Sequence, residues 1–165
     1  MKSLYLVRHA KSSWDHPGLS DFDRPLLATG IKKTRQIIKY LIAKRVSVDL
    51  IISSPAVRAL ETAKLIAAGL DYPIENIKQE PALYEARLDD YLNLIHGISD
   101  EINSLMIFGH NPTITRFANI FLDQGIDILP TSGVAAISFE TEHWIEISRI
   151  QPEQKFLVFP NMLKS

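Results

Sequence analysis

Two apolar runs in this chain end in histidine. Leu4-Tyr5-Leu6-Val7 leads directly into Arg8-His9-Ala10-Lys11-Ser12, and Leu105-Met106-Ile107-Phe108 into Gly109-His110-Asn111-Pro112. A third run, Val48-Asp49-Leu50-Ile51-Ile52, leads through Ser53-Ser54-Pro55 to Arg58. A guanidinium offers a planar fork of donors that matches phosphate oxygens. An imidazole with one bare ring nitrogen is a nucleophile near neutral pH. Gathered in one cleft, Arg8, His9, Arg58 and His110 would repel one another unless an anion sat among them, a cost in stability that is typical of functional sites. Taken singly, each residue has a plainer role: His9 as an edge histidine, Arg58 as a solvated helix residue, His110 as a helix cap. Arg58 fits its plainer role badly, because a cation in the first turn of a helix opposes the dipole.

The elements around these residues decide whether they meet. Leu4–Val7, residues 48–52 and Leu105–Phe108 are short, apolar and flanked by polar residues, as buried strands are. Between them run segments with apolar residues at helical spacing: Ile31, Ile37, Ile38, Leu41 and Ile42; residues 56–68; Leu88, Tyr91, Leu92 and Ile95; and residues 113–122. Ser54 suits an N-cap and Pro55 a first helical position. Residues 10–28 predict a long ordered loop, with Trp14, Leu19 and Phe22 among Ser, Asp, Pro and Gly. Residues 74–80 suggest a short edge strand. Residues 134–139 and 144–150 predict two further strands joined by a turn over 140–143, with the apolar patch 156–159 docked on the body. The β-α-β-α order implies a single three-layer α/β/α domain over residues 1–165. Its central sheet is mostly parallel, with an antiparallel element near the C-terminus. In such a sheet the three strand ends share one edge, where helix N-termini add free N–H groups.

Composition narrows the class. The 165 residues suffice for one domain with a sizeable core, and 46% hydrophobic with 22% charged residues is an ordinary globular balance. A formal net charge of −1 supplies no general field for nucleic acid or an anionic membrane, so neither is an expected partner. The absence of cysteine excludes thiolate nucleophiles and cysteine–zinc sites. The N-terminal apolar run is too short for a signal sequence or a membrane span, which leads to the expectation of a cytoplasmic protein.

With these motifs in order, the chain resembles the histidine phosphatase superfamily, whose fold is phosphoglycerate-mutase-like. The residues that carry the likeness are Leu6-Val7-Arg8-His9, Ser54-Pro55-Ala56-Val57-Arg58-Ala59, Leu83-Tyr84-Glu85-Ala86 and Gly109-His110-Asn111-Pro112. The chain is most similar to the small SixA-like phosphohistidine phosphatases, sharing Arg8-His9-Ala10-Lys11-Ser12, Asp23-Arg24-Pro25-Leu26 with Gly30, and Thr131-Ser132-Gly133. The resemblance implies that His9 is the nucleophile and becomes phosphohistidine, with Arg8, Arg58 and His110 holding the phosphoryl oxygens. Ser12 and Arg24 are further candidates for binding substrate, Arg24 with a structural role, paired with Asp21 or Asp23, as its alternative. Glu85 matches the acid position of the mutase-like members; its alternative is a clamp on an arginine. No metal and no cofactor is implied. The expected partner is a phosphorylated protein bearing phosphohistidine, or a small phosphate ester, with inorganic phosphate as product.

Two departures from the mutase pattern stand out. Ala10 replaces a glycine, and Asp15 stands where the mutases carry a phosphate-binding asparagine. Near a phosphate, Asp15 must point away, pair with Lys11 or be protonated. The competing functions are a phosphatase of small esters that uses Glu85 as general acid, a phosphoprotein-binding module with little turnover, and a metal hydrolase. A binder has no need of His9, and the chain lacks a His-x-x-x-His spacing. His16, His96 and His143 are expected to be structural or surface residues, Lys32, Lys33 and Lys39 a solvated helix face, and Trp14 and Trp144 packing residues.

Overall fold

The apolar runs pair side by side in the computed structural model, which describes residues 1–163. Six strands, β1 (Lys2–Arg8), β2 (Leu50–Ser53), β3 (Lys78–Gln79), β4 (Ser104–Gly109), β5 (Val134–Phe139) and β6 (Glu153–Val158), form one sheet in the order β3-β2-β4-β1-β5-β6. β1, β2, β3 and β4 run parallel; β5 lies antiparallel to both β1 and β6. Arg8 pairs with Gly109, and Ser53 with Phe108, so His9, Ser54 and His110 all lie one step beyond the last paired residues.

Helices cover both faces. α1 (Ala28–Ala43) and α2 (Val57–Gly69) bury Ile37, Leu41, Ala63, Ile66 and Ala67 against Tyr5, Val7, Met106 and Phe108. α3 (Leu88–His96) and α4 (Thr113–Asn119) bury Tyr91, Ile95, Ile114 and Phe117 against Leu4, Leu6, Leu105 and Ile107. The alternation along β1 and β4 is thus the alternation of two cores, which gives the three-layer arrangement expected. Asp90 starts α3 by accepting the Arg87 N–H at 2.8 Å, the carboxylate half of a capping box.

Three expectations are corrected. Residues 144–150 form no strand: Trp144–Glu146 is a 3₁₀ turn, and the last strand is β6, within what read as a docked tail. Trp144 is fully buried with its indole N–H donating to the Ile102 carbonyl (2.7 Å), and packing rather than pairing is what its apolar neighbours serve. Ser54 does not cap the following helix. α2 begins at Val57, and Ser54 Oγ instead accepts the N–H of Ala56 in the turn before it. Trp14 is no packing residue, being 79% exposed.

The stretch from residue 10 to 28 is an ordered loop. It folds back on itself through Ser13 N–H to Pro25 O (2.8 Å), Leu27 N–H to Lys11 O (3.0 Å) and a bridge between Ser12 and Leu26. α1 presses against this loop at Gly30, where a Cβ would collide with the Lys11 carbonyl.

Candidate active site

Register delivers the groups, and local hydrogen bonds aim them. The backbone of Arg8 and His9 is gripped by the Thr131-Ser132-Gly133 step, with Arg8 N–H donating to Gly133 O (3.1 Å) and Ser132 N–H reaching the Arg8 and His9 carbonyls. Ser132 holds a left-handed φ of 60°, and its hydroxyl meets that of Thr34 at 2.8 Å. On the other side, Thr62 Oγ1 accepts the Ala10 N–H (2.8 Å) and donates to the Arg58 carbonyl (2.7 Å). Ala10 is fully buried and is not among the residues with positive φ, so this turn has no requirement for glycine.

His9 is buried, and its Nδ1 lies 2.8 Å from the Ala10 carbonyl. A carbonyl can only accept, so Nδ1 carries the proton and Nε2 keeps its lone pair. Burial pushes His9 down to about 3 against the opposing effect of that carbonyl, and His110, Arg58 and Arg8 add to the depression. His110 is lowered to about 4, first by burial and then by Arg58, with Asp21 opposing. Both rings are neutral at pH 7, and their centroids are 5.1 Å apart. His110 Nε2 meets Ser54 Oγ at 2.7 Å. Ser54 Oγ also accepts the Ala56 N–H; when its hydroxyl proton is donated to Nε2, the ring proton of neutral His110 sits on Nδ1, an atom with no protein partner.

Among the described residues, the buried polar atoms without a protein partner are Arg8 Nε, Arg58 Nε, His110 Nδ1 and the Tyr91 hydroxyl. Such atoms are rare in folded proteins, and each calls for an explanation. Three of the four belong to the residues that the strand ends bring together. Arg8 is held by one donation to the Leu129 carbonyl (3.1 Å). Burial, and then Arg58, lowers its pKa from the ordinary guanidinium value. Gly109 lets the strand end approach α3, since a Cβ there would collide with the Tyr91 hydroxyl.

Arg58, the second residue of α2, donates to Asp21 twice, through Nη1 to the backbone carbonyl (2.7 Å) and Nη2 to Oδ2 (2.9 Å). Its unfavourable place at a helix start is therefore met in part by Asp21. The same carboxylate accepts from the Tyr84 hydroxyl (2.8 Å) and from Arg24 Nη1 (3.0 Å). Burial opposes its ionisation, but the hydrogen bonds from Tyr84, Arg24 and Arg58 outweigh this and hold Asp21 at about 2. The sequence pointed to Asp21 only as one candidate partner for Arg24. Its reach to Arg58 and Tyr84 spans 37 and 63 positions, a distance over which local pattern carries no signal.

Arg8, His9, Arg58 and His110 line a cleft of about 520 Å³ together with Lys11, Ser12, Trp14, Asp15, Arg24 and Lys33. Five cations there face one carboxylate, Asp15, a local positive field in a chain of net charge −1. Asp15 forms no ion pair with Lys11 or any other cation among the described residues. Arg24 sits at the rim with Nε on the Ser13 carbonyl (2.9 Å) and Nη2 on Ser12 Oγ (2.7 Å), which favours its structural role. Glu85 does not line this cleft. It lies, with a φ of 57°, in an adjoining groove bounded by Asp21, Arg58, Tyr84, His110 and Arg116. Among the described residues no group of three or more His, Asp or Glu side chains is placed to hold a metal ion.

The model of the histidine phosphatase superfamily (branch 1) matches residues 4–130. The chain belongs to this superfamily. A solved structure from Agrobacterium tumefaciens, provisionally assigned as the phosphohistidine phosphatase SixA, is 28% identical, with a TM-score of 0.81 over 95% of this chain and 97% of that one. The protein histidine phosphatase SixA, solved with tungstate, has the same fold at 20% identity, with a TM-score of 0.81 over 98% of this chain and 99% of its own. An uncharacterized protein of Mycobacterium tuberculosis is 30% identical over 151 residues, 86% of this chain and 91% of its own length. Family membership and the SixA-like fold support phosphatase activity.

Proposed function

We propose that this protein is a phosphohistidine phosphatase that acts on a protein substrate through a covalent phosphohistidine on His9. The observation that carries the reading is the His9 ring. Its Nδ1 proton is tied to the Ala10 carbonyl and its Nε2 left bare, beside donors on Arg8, Arg58 and His110 that lack protein partners.

Nε2 of His9 attacks phosphorus, and the bond from phosphorus to the leaving atom breaks. Arg8, Arg58 and His110 hold the three phosphoryl oxygens and stabilise the charge redistributed in the transition state. Water then attacks the phosphoenzyme, which releases inorganic phosphate and restores the neutral ring. The Arg8 and Arg58 guanidiniums supply the charge, and neutral His110 a donor, that metal ions provide elsewhere, so no metal or cofactor is needed. Ser12 Oγ lies at the cleft wall, in reach of a phosphoryl oxygen or of Arg24. The cytoplasm is the proposed setting; no helix among the described residues is long and apolar enough to cross a membrane.

Glu85 bears on the substrate class. A phosphoramidate leaves through a nitrogen that can already be protonated, whereas an alkoxide needs a proton delivered. Glu85 stands in the adjoining groove, which shares Arg58 and His110 with the cleft of His9, so it can serve an oxygen leaving group while a phosphoramidate does without it. The test is phosphate release from a phosphohistidine-bearing protein and from an alkyl phosphate, with EDTA present, by wild type and Glu85→Gln. The expected outcome is release from the phosphoprotein that withstands EDTA and Glu85→Gln, with loss confined to the ester. Ester hydrolysis without release from the phosphoprotein would assign the protein to the small-ester class.

A further inference from the structure

The phosphoryl chemistry gives no role to Trp14, an aromatic side chain at the cleft. Trp14 is 79% exposed, while the other tryptophan, Trp144, is fully buried. A tryptophan in water forgoes the burial of an unusually large apolar surface, and exposed ones are characteristic of binding surfaces, where one flat ring anchors a partner. Trp14 is also held in place. The Arg24 guanidinium carbon lies 3.3 Å from the ring centroid, a cation stacked on one face. Arg24 is itself fixed by Ser12, Ser13 and Asp21. The adjoining backbone is tied by Ser13 N–H to Pro25 O (2.8 Å) and Asp15 N–H to Ser13 Oγ (3.0 Å). One face of the indole is thus covered, and the ring lines the cleft that contains His9.

We propose that the open face of Trp14 is a stacking platform for a flat, π-bearing leaving group, which makes Trp14 a specificity-determining residue. The proposal rests on the His9-centred phosphatase reading, in which the imidazole of the substrate phosphohistidine is such a group. Stacking on a ring already immobilised by Arg24 avoids much of the ordering cost that a free side chain would incur. The competing role for Trp14 is purely structural, a lid over Arg24. In that case its loss would disturb Arg24, Asp21 and Arg58 and weaken every phosphoryl ligand alike.

Phenylphosphonate and methylphosphonate separate the two roles, because they share the anion and differ in the ring. Their binding is read by competition with substrate turnover and by acrylamide quenching of tryptophan fluorescence, to which buried Trp144 adds a constant background. Wild type is expected to bind phenylphosphonate roughly tenfold more tightly, within the range of single stacking contacts, and to shield Trp14 from acrylamide only with that ligand. Trp14→Ala is expected to abolish the preference and Trp14→Phe to restore most of it. Equal binding of the two probes by wild type overturns the proposal, as does a preference that survives Trp14→Ala or a matched loss of both probes in that variant. Failure of both phosphonates to compete would instead remove the phosphoryl site itself, and the proposed function with it.

Discussion

Asp21 ties two cations of the cleft, Arg24 and Arg58, to each other. Through one carboxylate it fixes Arg58, Arg24 and Tyr84, and Tyr84 in turn packs edge-on against His110 with centroids 5.6 Å apart. Two effects oppose each other when its charge is removed. The cleft becomes more positive, which favours an anion, while Arg58 loses its one charge-assisted bond to the carboxylate, worth about 1.5–3 kcal/mol, and keeps the bond to the Asp21 backbone carbonyl. For turnover the placement of Arg58 matters more, because electrostatic catalysis needs donors already aimed. Asp21→Asn is therefore expected to lower kcat by roughly 10- to 100-fold, while inorganic phosphate inhibits as well as before or better. Intact kcat with weakened phosphate inhibition would show that Asp21 does not position Arg58. At this scale Arg8, His9, Arg58 and His110 were legible in the sequence because each follows a strand closely. Asp21 was not, since a loop carries it and its partners lie far along the chain. Trp14 was misjudged as packing because composition alone does not tell a buried tryptophan from an exposed one.

The parallel pairing of β1, β4 and β2 turns three separate motifs into one site, and the Gly109 contact shows how closely the ends must fit. A Cβ at residue 109 meets the Tyr91 hydroxyl in the core under β4. Gly109→Ala is expected to cost about 1–3 kcal/mol through overpacking, seen as a lower Tm. Adding Tyr91→Phe, which removes the colliding oxygen, should recover part of that loss, a positive coupling in a double-mutant cycle. Strictly additive effects would contradict the contact. The strands of the parallel core were legible because both their faces are buried and the runs are continuously apolar. β6 was not: it lies at the sheet edge, with Glu153, Lys155 and other half-exposed positions interrupting the pattern. Trp144 and its apolar neighbours mimicked a strand because a buried turn needs the same residue types.

For the molecule as a whole, the buried neutral histidines link stability to pH. His9 titrates at about 3 and His110 at about 4 in the folded protein, both below the ordinary 6.5. The unfolded chain takes up these protons first as pH falls, so unfolding binds protons between about 6.5 and 3. Stability is thus full above pH 6.5 and declines through that window; Asp21 adds its own loss lower still, between 3.8 and about 2. Thermal melts should show Tm falling from pH 7 to pH 4, with a shallower fall in His9→Asn. An unchanged slope in that variant would mean His9 is not buried neutral.

The cleft is set among five cations and walled on one side by the ordered loop over residues 10–28, a form that suits an anionic group. Its central claim is a covalent one. Brief exposure to a radiolabelled phosphohistidine protein, followed by denaturation in alkali, where phosphohistidine is stable and acid then releases it, measures the phosphoenzyme directly. The account predicts label on this chain that is alkali-stable, acid-labile and absent from His9→Ala. Turnover with no label on the wild type under these conditions, or label retained in His9→Ala, would contradict it.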